Sequence, residues 1–174
     1  MKFRVYCSLA LFSLILLAGC QHDPYAHLYN KAAQARPHEP LLIEPGQSVG
    51  KIRSGMTMEE VVAAVGEPDR RRTKTLEYLR YGFAVSGSSE GRVLVVFCGG
   101  CSKGSPLAKM FAGRTKEGIG MESSRDQIIS AFGPPTSSDW EDGEEILRYK
   151  TLGLSFFLAD AKVHHITVDF RKRK

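Results

Sequence analysis

Outside the first twenty residues, the side chains best placed to do chemistry are Cys98 and Cys101, separated by two glycines. That spacing lets two thiols close a small disulfide ring, act as a redox couple or supply half of a metal site. A thioredoxin-like couple needs its thiols at a helix N-terminus in a βαβ pattern, and Ser102-Lys-Gly-Ser-Pro106 breaks the chain directly after the pair. Zinc needs two more ligands. His164 and His165 are the candidates, but neighbours on a strand point to opposite faces. A local disulfide in an oxidising compartment is the third reading, and so short a ring shapes the linker more than it stabilises the fold. No Ser/His/Asp order, carboxylate pair or phosphate-binding glycine loop falls in a working context, so the expectation is a non-enzyme with no metal or cofactor. Trp140, in the acidic stretch Asp139-Trp-Glu-Asp142, suits either a partner contact or packing on its own sheet. Met110, Phe111 and Phe83 are the other candidate partner contacts.

The elements that must position these residues are written twice. Thr57-x-x-Glu60 and Ser124-x-x-Gln127 are capping boxes that open helices. Met58, Val61, Val62 and Val65 then form one apolar stripe, and Ile128, Ile129 and Phe132 another. Gly66 with Pro68, and Gly133 with Pro134-Pro135, end the two helices. Past them, Glu77-Tyr-Leu-Arg-Tyr81 returns as Glu145-Ile-Leu-Arg-Tyr149, followed by two more strand-like runs in each copy. The expected fold class is therefore α+β, two tandem units of one helix on a three-stranded antiparallel sheet. The units run from 49 to 97 and from 119 to 170. A linker at 98–118 carries the cysteine pair and a short helix with Leu107, Met110 and Phe111, which either fills the gap between units or is offered to a partner.

The chain's start points to a compartment. Lys2 and Arg4 precede an apolar run from Val5 to Leu17, too short to span a bilayer comfortably, and Leu17-Ala18-Gly19-Cys20 closes it. The tetrapeptide resembles the bacterial lipobox, which implies a signal peptide over 1–19, cleavage before Cys20 and lipidation of Cys20, including palmitate-type acylation. Such an anchor holds permanently. Gln21 after the cysteine implies the outer membrane, facing the periplasm, in a host with two membranes. Residues 20–48 carry four prolines and read as a tether, spanning roughly 30 Å as a coil; Leu41-Leu42-Ile43 either stays in that tether or adds an edge strand. Removing Lys2 and Arg4 from 24 basic residues leaves 22 against 19 acidic ones, a balance of +3. That excess favours anionic lipid weakly and does not argue for nucleic acid. Arg70-Arg-Arg-Thr-Lys74 and the 171–174 tail read as solvated basic clusters on a turn and a terminus.

Lys51-Ile-Arg-x-Gly-Met-Thr57 followed by Val62-x-x-Val65-Gly66-x-Pro68 resembles the SmpA/OmlA (BamE-like) lipoprotein family, and the tandem arrangement resembles the fold of the beta-lactamase inhibitor protein. The resemblance implies helix-plus-sheet units and a protein-binding role in the envelope, such as an outer-membrane assembly or scaffold accessory. The alternatives are a thiol redox or metal-binding envelope protein built on Cys98 and Cys101, and a periplasmic or secreted hydrolase inhibitor.

Overall fold

The computed structural model describes residues 41–99 and 111–171. Within them the chain forms twelve strands and two α-helices: β1 (Leu42–Glu44), β2 (Ser48–Val49), β3 (Ile52–Arg53), α1 (Met58–Val65), β4 (Arg70–Arg72), β5 (Thr75–Tyr78), a 3-10 turn (Leu79–Tyr81), β6 (Phe83–Gly87), β7 (Val93–Gly99), β8 (Arg114–Thr115), α2 (Arg125–Phe132), β9 (Ser137–Glu141), β10 (Glu144–Tyr149), β11 (Leu154–Ala159) and β12 (Lys162–Asp169). Eight strands make one sheet in the order β4-β5-β6-β7-β12-β11-β10-β9, antiparallel throughout. The other four make a small sheet, β3-β2-β1-β8, in which β1 runs parallel to β8.

This architecture overturns the expectation of two helix-plus-three-strand units. The protein is mostly β. Each half gives four strands to the large sheet, and the halves are fused into one sheet by the pairing of β7 with β12, Val96 opposite Val168 and Cys98 opposite Ile166. In the large sheet the strands missed are β4 and β9, where consecutive arginines and an acidic stretch resemble a turn and a loop; both lie at sheet edges, where charge is common because it discourages unwanted pairing.

Local chemistry explains the helices. The Thr57 hydroxyl accepts from Glu60 N–H while the Glu60 carboxylate accepts from Thr57 N–H, and Ser124 and Gln127 repeat the arrangement. Gly66 and Gly133 close the helices at φ +100° and +75°, a region costly for any residue with a Cβ. Each closing glycine is clasped by a tyrosine: Tyr78 Oη donates to the Gly66 carbonyl at 3.0 Å, and Tyr149 Oη to the Gly133 carbonyl at 2.8 Å. Tyr78 is thus the counterpart of Tyr149. The shared Leu-Arg-Tyr text misaligns the halves, since Leu79–Tyr81 is a 3-10 turn.

One face of the large sheet carries Leu76, Tyr78, Val85, Val96, Leu147, Phe156 and Ile166, and these share a core with Met58 and Val61 of α1 and Ile128 of α2. Phe132 of α2 packs on Tyr149 and Phe156 with ring centroids 5.7 and 5.8 Å away. The small sheet joins the same core through Ile43, Val49 and Ile52, so Leu42–Glu44 belongs to the fold.

Two outcomes test this packing. Ile166→Ala, at the junction of the halves, should cost about 2–5 kcal/mol in denaturant unfolding. The β11–β12 hairpin turns through Asp160 and Ala161, at φ +52° and +61°. Ala161→Gly should therefore stabilise the protein by about 1 kcal/mol by relieving a left-handed residue.

Candidate functional site

The cysteine pair is reached only through Cys98, because Cys101 lies outside the described residues. Cys98 is wholly buried in β7 on the core face, and burial pushes its thiol pKa up, so it is held as the neutral thiol rather than the nucleophilic thiolate. Cys20 and Met110 also lie outside the described residues. Phe111 is buried in the core, and Phe83 is 2% exposed, packed against Tyr78 at 5.0 Å and Tyr81 at 6.0 Å. Both serve packing within the domain. Trp140 differs: it lies on β9, not in a loop, and is 72% exposed.

A β-bulge between Phe157/Leu158 and β12 makes the alternation of β12 slip at His164. Val163 and Ile166 consequently both pair within the core-facing rows, and both histidines are buried. The sequence places His164 in line with Ile166, Val168 and Phe170; the bulge breaks that line. His164 Nε2 lies 3.2 Å from Glu144 Oε2, in ion-pair range but without hydrogen-bond alignment. His165 emerges on the opposite face of the sheet, stacked on Phe97 at 6.0 Å and met edge-on by Phe157 at 4.8 Å, with Nε2 3.0 Å from Thr167 Oγ1. Among the described residues no three His, Cys, Asp or Glu side chains converge as a metal-binding group.

Two of the depressions that the described residues line differ in chemistry. One, of about 230 Å³, is walled by Leu41, Val49, Ile52, Val65 and Phe83, with Lys51 among its lining residues. The other, of about 510 Å³, is shallow and carries charged side chains, Arg148, Lys150, Asp169 and Arg171, around Leu154. Its guanidiniums are engaged: Arg171 forks onto Asp169, and Arg148 reaches Asp139 at 2.9 Å and Glu141 at 3.1 Å. Neither assembles a nucleophile with a base.

The feature that sequence reasoning missed is the pair of sheet edges. β9 presents Asp139, Trp140 and Glu141 to solvent, and β4 presents Arg71 and Arg72. A signal for β9 was available in Asp142-Gly143, whose φ values of +50° and +79° make the tight turn that an Asp-Gly pair favours between two strands.

No family model matches the chain, and no curated protein does. With the twelve-strand architecture, that overturns the SmpA/OmlA resemblance: its short motifs are helix-capping and turn residues, which recur wherever a helix starts and stops. Among solved structures the chain is similar to the crystal structure of a DUF4309 family protein (YjgB) from Bacillus subtilis, at 18% identity and a TM-score of 0.49, covering 83% of this chain and 93% of that one. No helix among the described residues is long and apolar enough to cross a membrane.

His165 gives a pH prediction. Burial chiefly, and the neighbouring His164, push its pKa down from 6.5 to about 4, while the Cys98 main chain opposes them. The unfolded chain therefore takes up the proton first on acidification. Stability from this site is complete above pH 6.5 and falls between pH 6.5 and about 4. The loss reaches about 3 kcal/mol near pH 4. Denaturant midpoints across that window should show the loss, and His165→Phe should remove most of it.

Proposed function

We propose that this is a non-catalytic, lipid-anchored protein of the cell envelope that works by binding other proteins. The observation that carries this reading is the exposed β9 edge with Trp140, on a domain whose sequence begins with Lys2, Arg4, an apolar run and Leu17-Ala18-Gly19-Cys20. A large apolar ring held in the open on a rigid strand is the type of side chain that anchors protein contacts. Its neighbours Asp139 and Glu141 add a charged rim, which suits specificity. The buried, neutral thiol of Cys98 gives less support to a redox role.

In cells, a photoreactive residue in place of Trp140 should yield a covalent adduct with an envelope protein, a second copy of this chain included, and one in place of the buried Val96 should yield none. Cys20→Ser should move the protein from the membrane fraction to the soluble one. Equal labelling at both positions, or membrane retention of the serine variant, contradicts the proposal.

A further inference from the structure

The two edges of the large sheet are opposite in charge and matched in geometry. On β4, Arg70 and Arg72 share a single carboxylate, Glu77, at 3.2 and 2.7 Å. On β9, Asp139 and Glu141 share a single guanidinium, Arg148, at 2.9 and 3.1 Å. Strand parity sets the rest. Because eight strands alternate in direction, β4 runs opposite to β9, so a second copy that continues the sheet brings its β4 antiparallel to β9 of the first, with matching faces aligned.

We propose that β9 of one copy pairs with β4 of a second copy, with Arg70 opposite Glu141, Arg71 opposite Trp140 and Arg72 opposite Asp139. Facing supports this register. Arg70 and Arg72 stand on the face of Glu77, and Asp139 and Glu141 on the face of Arg148, so both sets of charges meet on the face away from the helices. Arg71, opposite Leu76, and Trp140, opposite Glu145, both stand on the helix side, where a guanidinium can lie on the indole. Both are exposed, so neither helix overhangs the junction.

The backbone agrees. Arg72 and Thr75 flank a two-residue turn, as do Glu141 and Glu144, and flanking residues of such turns form hydrogen-bonded pairs. Alternation then turns the N–H and C=O of Arg71 and of Trp140 outward, and the register sets those groups opposite one another. Pairing like edges sets arginine against arginine or acid against acid. That rejects the two-fold dimers and leaves the head-to-tail contact, which extends beyond two copies.

The test is sedimentation equilibrium of the full chain in density-matched detergent. At about 0.05 M salt the average mass should exceed two copies and rise with concentration, and at about 1 M, where the Debye length falls to about 3 Å, it should drop towards one copy. Trp140→Lys should weaken association at least about tenfold, since it sets a like charge opposite Arg71, and Arg71→Glu should weaken it by taking the guanidinium off the indole. Arg71→Pro and Trp140→Pro, each blocking one edge, should be single copies alone and should stop at two copies when mixed. A single copy for the parent at every concentration overturns the proposal, as does parent-like association of the glutamate and lysine variants. If the proline variants lose the cooperative melt of the parent, the glutamate and lysine variants decide alone.

Discussion

The pairing of β7 with β12 is the constraint on which the rest of the molecule depends. Val93–Gly99 holds three valines, a leucine and Phe97, and left as an edge it would expose a long apolar strand. Joined to β12 it becomes interior, and the core faces of the two halves become one surface. Both helices and the small sheet bury against that surface. A unit of four strands and one helix would keep its clasp and its caps but lose the partner that covers its longest strand.

Within that shared sheet the two halves have kept their joints and changed their surfaces. The capping box, the closing glycine and the tyrosine that binds its carbonyl recur in both, because each satisfies main-chain groups that a helix end leaves unpaired. Beside the tyrosines the chemistry reverses: Glu77 precedes Tyr78, whereas Arg148 precedes Tyr149. The edge strands carry the complementary charges, arginines beside Glu77 and acids beside Arg148. Sign, not shape, distinguishes the two ends of the sheet.

Much of the local structure was legible in the sequence and the assembly of it was not. Helix starts and stops rest on residues within a few positions of one another, so Thr57, Glu60, Ser124 and Gln127 announce themselves. Strand pairing is non-local. Nothing near Val96 indicates that its partner is Val168, and the natural guess closes each half on itself. The edge strands were hidden by their charge, and the equivalence of Tyr78 with Tyr149 by the repeated Leu-Arg-Tyr, which folds as a turn in one half and a strand in the other. The bulge at His164 shifts a face without leaving a glycine or proline to mark it. Trp140 was recognised as a candidate contact from its acidic surroundings; its exposure on an edge strand required the fold.

The position of β12 also bears on how the protein is made. It is the last of the described strands in chain order, yet it lies in the interior of the large sheet, between β7 and β11. Synthesis proceeds from the N-terminus, so β4 to β7 emerge as a sheet with an open apolar side that stays open until residues 162–169 arrive. Completion of the large sheet therefore waits for its last-made strand, and a chain cut short before residue 162 loses the middle of the sheet instead of its margin.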